Sequence, residues 1–258
     1  MKVWLLFLGI MAAALPLGAA IKTEVVEYRD GDTVLEGYLA YDDSKTAAKP
    51  GVLVVHQWMG LTAYEKKRCE MLAEMGYVAF AADIYGKGIR PGSPGEAGPL
   101  AGKYKGDLPL LRRRVNLALS VLKGSKGCDA AKTAAIGYCF GGTTVLELAR
   151  SGADLAGVVS FHGALGTSQP AQAKTVHAQI LALHGADDPF VPAEEVARFQ
   201  KEMKEAQCDW QFVAYSGAVH AFTQWGAGDD NSKGAAYNKK ADLRSWKEME
   251  NFLAEIFR

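Results

Sequence analysis

The chain has 258 residues, 49% of them hydrophobic and 22% charged, which suits one globular domain with a sizeable core. Its 29 Lys and Arg residues balance 29 Asp and Glu residues, so neither a nucleic-acid surface nor a strongly charged partner face is expected.

Residues 1–20 stand apart from the rest. Lys2 supplies a positive start, Val3 to Leu15 form an apolar stretch too short to span a bilayer, and Gly18-Ala19-Ala20 offer small residues at a cleavage position. A signal peptide over residues 1–20 is expected, followed by one domain over residues 21–258 that is secreted or periplasmic and keeps no membrane anchor. Without Lys2, 28 basic residues face 29 acidic ones, a net charge of −1.

Along the expected mature chain, strands alternate with helices. Glu24–Tyr28 and Val34–Ala40 flank Asp30-Gly31-Asp32, a hairpin signal. Gly51–Val55 is a continuous β-branched run, the mark of a strand buried on both faces. A helix over Tyr64–Met75 ends at Gly76, and Tyr77–Ala82 reads as the next buried strand. Ile84 to Asp107 is crowded with glycine and proline and reads as a long lid or binding loop. It leaves the carboxyl end of a central strand, where open α/β sheets bind ligands. Leu108–Lys123 reads as a helix, with Arg112-Arg113-Arg114 on a solvated face. The strand Thr133–Ile136 follows, then the strands Gly157–Phe161 and Gln179–His184 and the helix Ala193–Ala206. The strand Trp210–Tyr215 and a closing helix around Ala235–Ile256 complete the chain. The pattern predicts an α/β fold, a mostly parallel twisted sheet with helices on both faces and an antiparallel N-terminal hairpin.

The chemistry concentrates at Gly137-Tyr138-Cys139-Phe140-Gly141. Gly-x-Cys-x-Gly between a strand and a helix has the form of a nucleophile elbow, with cysteine in place of serine. Strand and helix approach so closely there that the positions two before and two after the nucleophile carry no side chain. The Phe140 N–H opens the helix and points at the same cleft, ready to bind an oxyanion. In hydrolases with this elbow the acid and the histidine follow in chain order. Here Asp187-Asp188 follow the strand ending at Leu183, and His220 follows the strand ending at Tyr215. His220 would take the thiol proton, and the acid would fix its tautomer. Trp58, Tyr85, Phe161, Phe222 and Trp225 are candidates to line an apolar pocket. His162 and His184 read as structural. If Cys139 stays free, at most two of Cys69, Cys128 and Cys208 can pair with each other. No two cysteines sit at zinc-ligand spacing, so neither metal nor cofactor is expected.

Taken together, Val54-Val55-His56-Gln57-Trp58-Met59-Gly60-Leu61, Gly137-Tyr138-Cys139-Phe140-Gly141-Gly142, His184-Gly185-Ala186-Asp187-Asp188-Pro189-Phe190-Val191-Pro192 and Val219-His220-Ala221-Phe222 resemble the dienelactone hydrolase family of cysteine α/β-hydrolases. The resemblance runs over nearly the whole mature chain. It implies the α/β-hydrolase fold, a triad of Cys139, His220 and Asp188 rather than Asp187, and a second oxyanion donor at the Trp58 backbone N–H. It implies a small ester or lactone as substrate, and a monomer or weak homodimer is expected. The sequence also departs from the family. A carboxylate that usually precedes the second oxyanion donor is Gln57 here, so activation would rest on His220 alone or on a carboxylate from elsewhere, with Glu36 a candidate. The carboxylate-binding arginines are missing, Lys87 standing at the first matching position. Gln57 and Lys87 therefore join Tyr85, Phe161 and Phe222 as expected substrate-binding residues. The alternative to a hydrolase is a non-catalytic binding protein on the same fold.

Overall fold

The structure, a computed structural model, describes residues 21–44 and 47–258. The expected signal peptide, residues 1–20, lies outside them. Strands β1 (Ile21–Asp30) and β2 (Thr33–Asp42) pair antiparallel, and Gly31, at φ 57°, makes the turn between them. Then come β3 (Lys49–Val55), α1 (Ala63–Glu74), β4 (Val78–Ala82), α2 (Pro94–Gly106) and α3 (Leu108–Lys123). They are followed by β5 (Cys128–Tyr138), α4 (Phe140–Arg150), β6 (Gly157–Phe161) and β7 (Gln179–Gly185). Helix α5 (Ala193–Glu205), β8 (Trp210–Tyr215) and α6 (Lys239–Ile256) close the chain.

Eight strands form one sheet in the order β1-β2-β4-β3-β5-β6-β7-β8. The strands from β4 to β8 run parallel, and β2 joins β4 antiparallel. The alternation of side chains along β3 assigns the helices to their faces. Val52 and Val54 pack with Leu72 of α1 and with Phe252 and Leu253 of α6. Leu53 and Val55 pack in the core that holds Tyr104 of α2, Leu111 of α3, Val145 of α4 and Phe199 of α5. Both faces are covered, which is why Gly51–Val55 of β3 and Val78–Ala82 of β4 read as unbroken apolar runs.

Three expectations are corrected. The stretch expected as a loop, Ile84 to Asp107, contains α2. Pro94 sits at the start of this helix, where a missing N–H costs nothing, and Ala97, Ala101 and Tyr104 are its buried positions. That spacing is helical, but glycine and proline masked it. The closing helix begins at Lys239 rather than Ala235, because the Asn238 side chain caps it (3.1 Å to the Ala241 N–H) while Ala236 donates to the His220 carbonyl (3.0 Å). Arg112-Arg113-Arg114 is not a solvated face. Arg114 is buried and reaches Asp30 Oδ2 (2.5 Å) and the Ile84 carbonyl (3.0 Å), and only Arg113 is exposed.

Arg112 points instead to a buried carboxylate. Glu147 Oε2 accepts from its Nε and Nη2 (2.9 and 2.6 Å), and Glu147 Oε1 accepts from Arg150 Nη1 (3.0 Å). Arg150 also bonds Glu202 of α5 (2.8 Å), so one network ties α3, α4 and α5 together. Removing one member strands the others in low dielectric. Glu147→Ala should cost about 3–5 kcal/mol, read as a fall in the urea midpoint at unchanged slope.

Candidate active site

The elbow is a backbone structure before it is a chemical one. Cys139 sits between β5 and α4 at φ 54° and ψ −113°, in the left-handed half of the map where a side chain is strained. Its N–H donates to the Phe161 carbonyl (3.0 Å), and its carbonyl accepts the first helical bond from Thr143 (3.2 Å). A Cβ at Gly137 would stand 2.0 Å from the Gly141 carbonyl oxygen, and one at Gly141 would stand 2.1 Å from that of Val55. Neither position can hold a side chain. The thiol is thereby thrust above the carboxyl ends of β3 and β5.

Two later loops meet it. After β7, the Asp188 N–H donates to the Gly185 carbonyl (3.1 Å), and Asp188 Oδ1 accepts the Phe190 N–H (2.9 Å). After β8, the His220 N–H donates to the Gly234 carbonyl (3.1 Å), and the His220 carbonyl accepts from Ala236 (3.0 Å). Gly185 lets the loops touch, since a Cβ there would lie 2.6 Å from the Ala218 carbonyl oxygen. His220 Nδ1 then lies 2.8 Å from Asp188 Oδ2, and His220 Nε2 lies 3.1 Å from Cys139 Sγ. The Asp188 carboxylate accepts from Nδ1, which leaves Nε2 to exchange a proton with the thiol. Asp187 is occupied elsewhere, its Oδ2 accepting the Gly217 N–H (3.0 Å).

Charge follows geometry. Burial pushes the Cys139 thiol up, but the hydrogen bond and charge of His220, with the Phe140 N–H, carry it below its ordinary value. Burial alone would depress His220; the Asp188 carboxylate and the Cys139 sulfur raise it instead. The pair leans toward thiolate and imidazolium. The other cysteines go the opposite way, because burial raises Cys69, Cys128 and Cys208. All four cysteines are free.

The loop carrying Gln57 and Trp58 is fixed by a buried acid. Glu65 Oε2 accepts the Thr62 N–H and hydroxyl (2.8 and 2.6 Å), closing a capping box on α1, while its Oε1 accepts the Gln57 N–H (3.4 Å). Buried His56 accepts the Ile84 N–H on Nε2 (3.2 Å), so its Nδ1 carries the proton donated to the Gln57 carbonyl (2.6 Å).

Cys139, His220, Gln57, Trp58 and Phe140 open into one cavity of about 590 Å³. Its other walls include Gly98 and Ala101 of α2, Ala164, Phe190 and Val191, with Thr143, Lys105 and Lys233. Among the described residues no carboxylate lines it. The described residues hold no cluster that could bind a metal ion, and no described helix is long and apolar enough to cross a membrane.

Five expected pocket residues lie elsewhere; one of them, Trp225, sits against Tyr64 (centroids 4.9 Å apart) with its Nε1 donating to Asp242 Oδ2 (3.1 Å). Phe161 is buried in the core stacked on Tyr138 (centroids 4.7 Å apart), because its strand position faces α1 and α6. Phe222 is buried between His162 and Tyr215. Tyr85 lies behind Phe140, its hydroxyl donating to the Trp58 carbonyl (3.0 Å), so it supports the wall without lining it. Lys87 is on the surface, paired with Glu27 and, at 3.9 Å, with Glu36. That pairing also removes Glu36 as the missing carboxylate beside the thiol. Phe190 and Val191 lay inside a quoted motif and were missed as wall. Lys105 and Gly98 were missed because α2 was.

Residues 35–257 match the sequence profile described as the dienelactone hydrolase family. The solved structure named m3DLH is 37% identical, with a TM-score of 0.89 over 93% of this chain and 100% of its own. A dienelactone hydrolase-like promiscuous phosphotriesterase from metagenomic libraries is 38% identical, with a TM-score of 0.87 over 93% of this chain and 100% of its own. A Bradyrhizobium sp protein named probable 2-oxo-3-(5-oxofuran-2-ylidene)propanoate lactonase is 30% identical over 79% of this chain and 86% of its own.

The thiol's charge can be read directly. A free cysteine titrates near 8.5, and the native pair holds Cys139 below its ordinary value. In His220→Ala the partner goes and the burial stays, so the apparent thiol pKa should rise above that of a free cysteine. Iodoacetamide alkylation followed by intact mass across pH measures it, and an unchanged profile would disprove the coupling.

Proposed function

The chain belongs to the dienelactone hydrolase family, and from that membership we propose that it hydrolyses small esters or lactones at Cys139. The observation that carries the reading is the continuous contact Cys139–His220–Asp188, at 3.1 and 2.8 Å, opening on a ligand-sized cavity.

The geometry supports the following steps. The sulfur adds to the carbonyl carbon while His220 holds the thiol proton. The oxygen that becomes negative is received by the Phe140 N–H at the start of α4 and by the backbone N–H of Trp58, a residue of the cavity wall. As the carbon–oxygen bond breaks, His220 gives its proton to the departing alkoxide and leaves a thioester on Cys139. Water, deprotonated by His220, then adds to the thioester, and the carboxylate departs as the thiol is restored. Asp188 keeps the imidazole oriented and balances its charge through both halves. A good leaving group suits this site, since a thiolate is itself readily expelled from the tetrahedral adduct.

A second substrate is favoured by one observation. The relative described as a promiscuous phosphotriesterase is 38% identical along almost the whole chain. We propose that the same thiolate attacks phosphate triesters that carry an aryloxide, expelling the aryloxide and leaving a phosphothioester. The apolar stretch Val3–Leu15 and the small residues after it support export of the enzyme, which N-terminal sequencing of the secreted product near Ile21 would test.

Cys139→Ala should lose p-nitrophenyl acetate hydrolysis by several orders of magnitude, as removal of a nucleophile does elsewhere. Asp188→Asn should cost far more than Asp187→Asn, because only Asp188 touches His220. Equal losses at the two aspartates would refute the assignment. Wild-type protein that binds esters with no adduct on Cys139 would be a binding protein instead.

A further inference from the structure

Behind His220, on the face of the sheet that holds α1 and α6, a line of polar side chains crosses an apolar core. Arg68 of α1 is only 2% exposed. Its Nη2 donates to Asp242 Oδ1 of α6 (2.6 Å), and its guanidinium lies 4.6–5.5 Å from the ring centres of Tyr64, Tyr138, Trp225 and Trp246. Asp242 Oδ2 in turn accepts from Trp225 Nε1 (3.1 Å) and from the Tyr237 hydroxyl (3.2 Å).

The arginine does more than neutralise Asp242. Its Nε and Nη2 both donate to the Tyr64 hydroxyl (3.1 and 3.0 Å). Two donors on one side of that oxygen send its own proton the other way, to Thr223, whose Oγ1 is 2.9 Å off and whose carbonyl is 3.1 Å off. With the Tyr64 proton on Thr223 Oγ1, the Thr223 proton is free for His162 Nε2, which lies 2.8 Å away. Arg68 and Tyr64 thus hold the Thr223 hydroxyl in place, and the hydroxyl holds the His162 ring through Nε2.

That ring faces His220. The two centroids are 5.3 Å apart at 66°, edge to face, and Phe222 meets the His162 ring at 5.1 Å and 80°. Both backbones need holding, since His162 is at φ 42° and Ala221, next to His220, is at φ 58°. Apolar residues could fill the place of a buried ion pair with little loss of stability. They could not hold a hydroxyl.

We propose that Thr223 is a positioning residue for His220. Its hydroxyl, held by Arg68 and Tyr64, locks the His162 ring against which the His220 ring rests while Nε2 faces Cys139. The proposal rests on the reading of His220 as the base for Cys139. Thr223 is fully buried and belongs to neither the Cys139–His220–Asp188 contact nor the cavity wall.

The test compares Thr223→Val, which keeps the shape and loses the hydroxyl, with Thr223→Ser, which keeps the hydroxyl, and with Tyr64→Phe. Three quantities are read: kcat and KM on p-nitrophenyl acetate, the pH profile of Cys139 alkylation by iodoacetamide, and the melting midpoint. The titratable groups around His220 are Cys139, Asp188 and His162, with His184 beyond and Lys105 and Lys233 on the shared cavity. None of them is changed in these variants, so a moved profile reports geometry.

Thr223→Val should lose about tenfold to a hundredfold in kcat, the cost of a misplaced catalytic group, with KM unchanged and the alkylation profile moved to higher pH. Thr223→Ser should restore both, and Tyr64→Phe should move both in the direction of Thr223→Val. Should Thr223→Val not fold, Tyr64→Phe carries the test, because it removes one oxygen and leaves Thr223 in place. Wild-type kcat and alkylation in Tyr64→Phe and Thr223→Val would overturn the proposal, and so would a fall in melting midpoint alone. Alkylation needs no ester. If the wild type fails to turn over esters while the profile still moves in Thr223→Val, the hydrolytic reading falls and the positioning role stands.

Discussion

Everything at this site depends on backbones packed closer than side chains allow. At the elbow β3, β5 and α4 meet so tightly that the missing Cβ atoms of Gly137 and Gly141 would overlap carbonyl oxygens at 2.0 and 2.1 Å. The same device recurs where the loops after β7 and β8 touch, at Gly185. The place of the sulfur, and of the imidazole and carboxylate that face it, is therefore set by main chain, which has few alternatives. Side-chain packing then has to hold only rotamers.

Once placed, the groups differ in charge because they differ in partners. Five histidines occur in the chain. His56, His162 and His184 are buried, and burial lowers each of them below the ordinary histidine value. His220 is also largely shielded, yet it alone of these four has a carboxylate on one nitrogen and a polarisable sulfur on the other, and it is raised. Desolvation is common to all four, so the partners decide the sign. The same reasoning separates Cys139 from the other three cysteines.

What could be read from the sequence was whatever local pattern dictates. The run Gly51–Val55 could only be a strand buried on both faces, and β3 has both faces covered. Gly-x-Cys-x-Gly announced its close approach because glycine at both flanks has a steric cause. The order of cysteine, acid and histidine after successive strands was legible for the same reason: parallel strands put their following loops at one end of the sheet. Side-chain direction was harder. Phe161 ends a strand and Phe222 lies on the loop after one, as pocket aromatics would, but at Phe161 a shift of one residue along the strand exchanges cavity for core, and nothing local fixes that phase. Lys87 pointed away because Glu27 and Glu36, distant in sequence, claimed it. Helix α2 was hidden because its glycines and prolines speak against a helix while its order comes from Ala97, Ala101 and Tyr104 packing on neighbours.

That composition has an evolutionary consequence. Helix α2 carries four glycines and two prolines, and one of the glycines, Gly98, lies on the cavity wall with nothing within 4 Å of where a Cβ would stand. Most changes to a binding site trade stability for a new shape. At Gly98 there is open space for a side chain, but Pro99 follows directly, and its ring crowds the Cβ of a helical residue before it, so glycine suits the helix there. Cys139, His220 and Asp188 sit on frozen main chain, and this stretch of the cavity wall is kept bare by the helix's own proline. A new side chain at this wall would therefore be tied to a change in the helix as well.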